Sequence, residues 1–229
     1  MWAVVPLKRL EQAKARLASV LSGEERRALM LAMARDVLTA LSRSSRLSGI
    51  LLVSRTPEAD ALAQSFGTER FAESPEANLA ESLGQASEYL IKHLRAAGAM
   101  VVPADVPLIT PDEVDAVLAQ HAQAGSPSVT VVPDAERVGT NCLICSPPDA
   151  IGYIFDGKSF KPHTRAALDA GITPAIIPSS GFALDIDTPD DLRTLLKRDP
   201  ACQTAVYLSK SGVATALADD DNSHNATET

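Results

Sequence analysis

The chain has 229 residues, of which 45% are hydrophobic and 22% charged, proportions that suit one large α/β domain. Its 21 Lys and Arg against 29 Asp and Glu give a formal net charge of −8, which argues against a nucleic-acid-binding protein. Three cysteines do not make a disulfide framework, and Pro6 and Lys8 interrupt the first apolar run, so no signal peptide is expected. No apolar stretch approaches the roughly 18 residues that a membrane span requires. We therefore expect a cytoplasmic protein that binds neither nucleic acid nor a membrane, and leave a homodimer open.

Apolar strands alternate with amphipathic helices along the first half of the chain. A buried strand is predicted over 2–5, and Ser22 with Glu25 forms a capping box at the start of a long helix. The further elements predicted in this half are strands over 49–53 and from Phe71, a helix that Thr56 caps and Pro57 begins, a helix over 78–94, and the most hydrophobic strand, over 97–103.

The second half continues the alternation and then changes character. The predicted elements are a helix that Thr110 caps, strands over 128–132 and 142–144, a helix over 164–170, an extended segment over 173–177, and a helix from Pro189 to about 197. From about Ser209 the sequence is aperiodic and poor in large apolar residues. We predict one domain over 1–208 and a disordered tail over 209–229. The alternation indicates a mostly parallel sheet with helices on both faces, whose ligands bind at the carboxyl ends of the strands.

Basic side chains follow the first strand. Lys8, Arg9, Lys14 and Arg16 lie within nine residues, partly in a loop at the carboxyl end of a strand, where cations can hold a polyphosphate. The segment has no glycine and so matches neither the Walker loop nor the dinucleotide fingerprint. A solvated basic helix face is the alternative interpretation. In both cases Lys14 and Arg16 are expected to be exposed.

Carboxylates follow two other predicted strands. Asp105 ends the most hydrophobic strand, where an unpaired carboxylate is costly unless it binds a metal or an amide. It is badly placed to cap the next helix, since Thr110 already does so. Asp185 and Asp187 lie on one side of a short extended segment just before the cap Thr188. Acidic residues there also favour a helix dipole, but together with Asp105 they predict one magnesium site.

Two polar segments come later. One is Gly139-Thr140-Asn141, and the other runs from Phe155 to His163 and contains Lys158, Ser159 and Lys161. Such hydroxyl, amide and cationic groups suit a phosphorylated carboxylic acid, and two polar turns beside a hairpin explain them equally well.

Three features carry less weight. Cys142 and Cys145 have the spacing of a redox motif but lie in an apolar run, which predicts a core strand. His93 and His121 lie on predicted helices and are expected at the surface. Asp219–Asp221 with His224 is read as part of a solvated tail.

Seven motifs in this order resemble a known family. They are Val4-Val5-Pro6-Leu7-Lys8, Ala13-Lys14-Ala15-Arg16-Leu17, Asn78-Leu79-Ala80, Asp105-Val106-Pro107-Leu108, Gly139-Thr140-Asn141, Ser159-Phe160 with His163, and Asp185-Ile186-Asp187-Thr188-Pro189. The sequence over about 1–197 is similar to the 2-phospho-L-lactate guanylyltransferases, which belong to the glycosyltransferase-A-like nucleotidyltransferases. The resemblance implies a Rossmann-like, three-layer α/β/α domain with a mostly parallel mixed sheet.

The resemblance also implies a reaction. The family transfers GMP from GTP to 2-phospho-L-lactate, phosphoenolpyruvate or 3-phosphoglycerate, releases pyrophosphate and supplies the synthesis of coenzyme F-420. A magnesium-dependent guanylyltransferase is therefore expected.

The resemblance further assigns roles to residues of this chain. Those that would bind GTP are Pro6, Leu7, Lys8, Lys14, Arg16, Asn78 and Leu79. Those that would hold the acid are Thr140, Asn141, Asp156, Gly157 and Ser159. The magnesium ligands would be Asp105, Asp185 and Asp187, and the catalytic residues Lys14, Arg16 and Asp105.

Two alternatives stay open at this point. A related enzyme, such as a molybdopterin guanylyltransferase or a sugar or isoprenoid cytidylyltransferase, would carry a glycine-rich first loop where this chain has Pro6-Leu7-Lys8. A noncatalytic nucleotide-sensing domain would share the fold but would have no need of Asp105 and Asp185.

Overall fold

The computed structural model describes residues 1–7, 14–198, 200–215 and 217. The strands are β1 (Trp2–Pro6), β2 (Gly49–Val53), β3 (Glu69–Phe71), β4 (Ala99–Val101), β5 (Ser128–Pro133), β6 (Thr140–Ser146) and β7 (Ala175–Ile176). The α-helices are α1 (Gly23–Ser42), α2 (Glu58–Phe66), α3 (Leu79–Leu94), α4 (Pro111–His121), α5 (Phe160–Asp169), α6 (Pro189–Lys197) and α7 (Gln203–Lys210).

The strands form one twisted-sheet layer in the order β3-β2-β1-β4-β6-β5-β7. Strand β6 is antiparallel to both of its neighbours, β4 and β5, whereas the other neighbouring pairs are parallel. The predicted mostly parallel, mixed sheet is confirmed. Because β6 is reversed, its first residues lie at the same edge as the last residues of β1, β2 and β4.

Helices cover both faces of this sheet. Alternate residues of β1 face opposite sides, so that Val5 joins one buried cluster and Val4 the other. Helices α1, α2, α4, α6 and α7 contribute buried residues to the first cluster, and α3 and α5 contribute to the second. This three-layer arrangement confirms the Rossmann-like fold.

Capping boxes fix where the helices at the site edge begin. Side chains of Asn78, Thr110 and Thr188 accept hydrogen bonds from the N3 backbone of α3, α4 and α6, and the N3 acidic residue of each helix bonds back. The predicted box of Ser22 and Glu25 on α1 is confirmed. The predicted Thr56 cap is wrong, because α2 begins at Glu58 and the Thr56 hydroxyl contacts Ser54 Oγ instead.

A buried histidine lies at the end of the sheet away from the site edge. His121 is 3% exposed, so its predicted surface position is wrong. Its Nδ1 lies 2.9 Å from Thr130 Oγ1 and its Nε2 lies 2.9 Å from Ser146 Oγ, because the last turn of α4 packs its ring on the sheet. Cys142 and Cys145 are buried in β6, which confirms the core-strand interpretation.

The packed chain extends past residue 208, which corrects the predicted domain boundary. Helix α7 continues to Lys210, and Val213 and Leu217, four residues apart, are 3% and 2% exposed within the core. The helix is also held by Asp36, whose carboxylate accepts hydrogen bonds from the backbone of Gln203 and Thr204. The tail over 218–229 lies outside the described residues. In the described ranges no helix has both the length and the hydropathy for a membrane crossing.

Candidate active site

Three side chains predicted from separate parts of the sequence meet at the site edge of the sheet. Lys14 Nζ lies 2.5 Å from Asp105 Oδ2 and 2.6 Å from Asp187 Oδ1. Lys14 follows β1, Asp105 follows β4, and Asp187 directly precedes Thr188, the N-cap of α6. One ammonium group therefore joins three chain segments at the edge where ligands of parallel sheets bind.

The expectation that Lys14 is exposed is wrong, since its side chain is only 6% accessible. Its backbone lies in the left-handed region at φ 56° and ψ 47°, which is unusual for a residue other than glycine. Burial alone would lower the pKa of the ammonium, but the charges and hydrogen bonds of Asp105 and Asp187 outweigh it and raise the pKa above its ordinary value. Lys14 is thus a fully charged, buried cation.

The two acidic segments are fastened to each other through the backbone. Ile186 N–H donates to the carbonyl oxygen of Asp105 at 3.0 Å. Asn141 Nδ2 donates to Asp185 Oδ1 at 3.1 Å and to the carbonyl oxygen of Phe182 at 2.8 Å. Burial raises the pKa of Asp185, and the charges of Asp105 and Asp187 add to the rise. The pocket around Asp185 therefore holds more negative charge than Lys14 alone offsets.

The donor set suits magnesium, which binds through one or two carboxylates together with phosphate oxygens. Among the residues that the structure describes, no three Asp, Glu, His or Cys side chains are grouped as a metal site of their own. Asp105 and Asp187 offer hard carboxylate oxygens on either side of the Lys14 ammonium. The residues thus fit a magnesium–phosphate complex better than a magnesium ion held by protein alone.

The remaining residues predicted to bind the triphosphate differ in how exposed they are. Arg16 is 73% exposed, as expected, and its guanidinium lies 3.9 Å from Asp187 Oδ2. Pro6 ends β1, whereas the Leu7 side chain is buried and its N–H donates to the carbonyl oxygen of Val53. Lys8 lies outside the described residues.

Asn78 and Leu79, predicted near the base or ribose, lie at the start of α3. The Asn78 carboxamide oxygen accepts from Glu81 N–H, and Leu79 packs partly buried against the core. The loop before them is held by Arg55, whose guanidinium bonds the carbonyl oxygens of Pro75 and Ala77. Asn78 therefore has a capping role that is independent of any nucleotide.

A buried network surrounds the residues predicted to hold the acid. His163 is inaccessible to solvent, its Nε2 accepts from Ile154 N–H at 2.9 Å, and its Nδ1 lies 3.0 Å from Thr140 Oγ1. Since Nε2 accepts, the neutral ring carries its proton on Nδ1 and donates to Thr140. Burial lowers the pKa of His163 to about 4, although Asp156 opposes the shift. The Thr140 hydroxyl is left to donate its own proton elsewhere.

The neighbouring hydroxyl is oriented in the same way. Ser159 Oγ accepts from Thr140 N–H at 3.1 Å, so that its own proton is not used in this bond. Asp156 and Gly157 form an exposed turn, in which Asp156 Oδ1 accepts a local hydrogen bond from Lys158 N–H. The hydroxyl protons of Thr140 and Ser159 are not used in these bonds, and the predicted roles of Thr140, Ser159 and Asp156 in holding the acid stay predictions.

Sequence reasoning missed three supporting residues: Arg55, Glu113 and His163 as a hydrogen-bond donor. Glu113 contacts the turn at 179–181, far away in sequence. The sequence does offer a partial signal for Glu113, because it is the N3 residue of the box that Thr110 begins.

Comparison with protein families supports an assignment over almost the whole chain. The family described as guanylyl transferase CofC like matches residues 1–225. A phosphoenolpyruvate guanylyltransferase from Sphaerobacter thermophilus is 37% identical over 198 residues, covering 86% of this chain and 93% of the relative. A 2-phospho-L-lactate guanylyltransferase from Methanothermobacter thermautotrophicus is 30% identical over 208 residues, covering 91% and 89%.

Solved structures share the fold at lower sequence identity. A nucleotidyl transferase from Methanothermobacter aligns with a TM-score of 0.64 at 16% identity, covering 86% of this chain and 96% of that one. A 4-diphosphocytidyl-2C-methyl-D-erythritol synthase aligns with a TM-score of 0.61 at 13% identity, covering 85% and 95%. At these identities the likeness concerns the architecture of the domain.

Proposed function

The chain belongs to the CofC-like guanylyl transferase family, and from that premise we propose that it transfers GMP from GTP to a phosphorylated three-carbon acid. A phosphate oxygen of the acid attacks the α-phosphorus of GTP. The bond between this phosphorus and the oxygen that bridges to the β-phosphate breaks, and pyrophosphate leaves. The product is a guanylated acid diphosphate of the kind from which coenzyme F-420 is built. The contact of one buried lysine with two carboxylates at the strand edge supports this proposal most strongly.

The residues of the site suit this in-line transfer because it needs positioning and charge neutralisation more than a general base. The attacking phosphate is already largely ionised at neutral pH. Lys14 lies against Asp187 Oδ1 and the exposed Arg16 lies near Asp187 Oδ2, so that both cations can bind the triphosphate. Asp105 and Asp187, with Asp185 beside them, would hold magnesium, which neutralises phosphate charge when it is bound.

The acid would bind at the hydroxyls of Thr140 and Ser159. Both are buried, and each accepts a hydrogen bond from a protein donor, so that its own proton can be donated to an anion. We propose phosphoenolpyruvate as the acid, because the relatives of 37% identity carry that name. The 2-phospho-L-lactate and 3-phosphoglycerate acids are the competing substrates.

The experiment is a panel of each common nucleoside triphosphate against each of the three acids, with magnesium and with pyrophosphate release as the signal. We expect release only with GTP, and fastest with phosphoenolpyruvate. Preference for CTP with a sugar or isoprenoid phosphate would favour the related cytidylyltransferases. Nucleotide binding without turnover under any combination would favour a sensing domain.

A further inference from the structure

Glu113 accepts more hydrogen bonds than a helix cap requires. Its Oε2 closes the capping box of α4 by accepting from Thr110 N–H and Thr110 Oγ1. Its Oε1 accepts three further bonds, from Ser179 Oγ at 2.9 Å, Ser180 Oγ at 2.9 Å and Gly181 N–H at 2.7 Å. Those three donors belong to a turn more than sixty residues away in sequence.

The other N3 acids of the described helices show that these three bonds are additional. Glu25 on α1 and Glu81 on α3 close their boxes by accepting from Ser22 N–H and Asn78 N–H. Among the described residues, Asp191 on α6 accepts from groups close to it in sequence, which are Asp187 N–H and the N–H and hydroxyl of Thr188. Of these four acids, Glu113 is thus the one whose bonds reach a distant segment.

The segments that Glu113 joins are those that carry the acidic residues of the site. Asp105 lies five residues before Thr110, and Asp185 lies four residues after Gly181. Between these points the two backbones are already in contact. Ile186 N–H donates to the carbonyl oxygen of Asp105, and a Cβ atom on Gly181 would lie 2.7 Å from the carbonyl oxygen of Leu108. Glu113 joins the same two segments at Thr110 and Gly181, on the side of this contact away from Asp105 and Ile186.

The charge of Glu113 fits that role. All five groups that contact the Glu113 carboxylate are hydrogen-bond donors. The ionised carboxylate has only acceptor oxygens, so it can accept from all five at once. Burial alone would raise its pKa, but the bonds from Gly181, Ser179, Ser180 and Thr110 outweigh it and lower the pKa. The carboxylate is therefore held ionised at neutral pH.

We propose that Glu113 is a positioning residue for catalysis, which sets Asp185 and Asp187 at the correct distance from Asp105. This rests on the proposed function, because it assumes that these carboxylates act together on phosphate or metal. Glu113 touches none of the reacting groups in the proposed reaction. Its effect reaches them through the turn at 179–181, so its loss would move the acidic pair relative to Lys14.

The test compares Glu113→Ala with Glu25→Ala, which removes an N3 acid whose carboxylate bonds its own capping residue, Ser22. We expect Glu113→Ala to lower kcat by about ten- to a hundredfold, since displacements of about 1 Å cost that much. Glu25→Ala should leave kcat within about twofold, although opening the capping box lowers the melting temperature of either variant. Glu113→Gln should recover part of the loss, because one oxygen remains to accept from Gly181.

A second variant keeps the capping box and removes two of the three distant bonds. Ser179→Ala combined with Ser180→Ala leaves Thr110 and Gly181 N–H bonded to Glu113, and we expect it to reproduce part of the fall in kcat. This variant also decides the matter if Glu113→Ala fails to fold. A kcat within about twofold of the wild type would overturn the proposal.

A readout without substrate separates this inference from the proposed function. Hydrogen exchange at Gly181 and Ile186 amides should be faster in the double serine variant than in Glu25→Ala, with the rest of the sheet unchanged. Unchanged exchange at both amides would overturn the proposal whether or not the enzyme uses GTP. A wild-type protein that fails to turn over, combined with faster exchange, would instead contradict the proposed function alone.

Discussion

The Lys14 ammonium and the Asp105 carboxylate, 91 residues apart in sequence, lie 2.5 Å from each other at the site edge of the sheet. In the proposed function, their contact marks where phosphate chemistry takes place. The Lys14 side chain is 6% accessible to solvent, whereas the Asp105 side chain is 24% accessible. A ligand can therefore reach the carboxylate from solvent.

Asp105→Asn is expected to abolish turnover while the protein stays folded. The amide keeps the shape of the side chain but removes the charge that pairs with Lys14 and that would bind magnesium in the proposed reaction, a loss of several kcal/mol of transition-state stabilisation. Asp190→Asn is the control, since Asp190 is 88% exposed and pairs with Arg193. Pyrophosphate release within about threefold of the wild type would remove Asp105 from the mechanism.

Lys14→Met should lose both activity and stability, whereas Arg16→Met should lose activity alone. Removing Lys14 leaves two facing carboxylates without their shared cation, which is costly in a buried position. Arg16 is largely exposed and 3.9 Å from Asp187, so little folding energy depends on it. Urea unfolding and steady-state kinetics of the two variants measure the difference. Equal stability of both would show that the buried ion pair contributes nothing to folding.

His163→Gln is expected to make the free energy of unfolding depend less on pH below about pH 6.5. The pKa of His163 is about 4 in the folded protein against an ordinary value of 6.5, so the unfolded chain binds the proton more readily. Its stabilising contribution is complete above about pH 6.5 and is lost as the pH falls toward 4, amounting to about 3 kcal/mol. Urea unfolding at pH 7 and pH 5 should show a smaller difference for the variant. The same pH difference in both proteins would contradict the assignment.

Truncation should separate the end of the core from the tail. Deleting 218–229 is expected to leave the melting temperature and kcat unchanged, because that sequence offers almost no large apolar side chain. Leu217→Ala should cost about 2–5 kcal/mol, as for other buried leucines. A fall in stability on deleting 218–229 that matches the Leu217→Ala loss would show that the tail packs on the domain.

Much of the fold could be predicted because local signals agree with it. The capping boxes of Ser22, Thr110 and Thr188 mark helix starts, and the apolar runs mark strands in the correct alternation. The burial of His121 could not be predicted, because its polar partners come from β5 and β6 rather than from its own helix. The end of the domain was placed too early, since Val213 and Leu217 form too short a pattern to indicate burial.

The candidate site was predictable in its residue types but not in its contacts. Strand-end positions indicated that Asp105, Asp185 and Asp187 lie near one another, because parallel strands end at one edge. The insertion of Lys14 between two of them could not be read from the sequence, since it depends on a left-handed backbone at that residue. The same holds for Glu113, whose distant partners depend on how two loops pack.

The fate of the α-phosphate of GTP tests the central claim most directly. The protein is incubated with magnesium, phosphoenolpyruvate and GTP labelled with ³²P at either the α- or the γ-position, and the products are separated. The proposed reaction places the α-label in the guanylated acid and the γ-label in pyrophosphate. A γ-label recovered as inorganic phosphate or on the acid, or an α-label that stays in GTP with each of the three acids, would contradict guanylyl transfer.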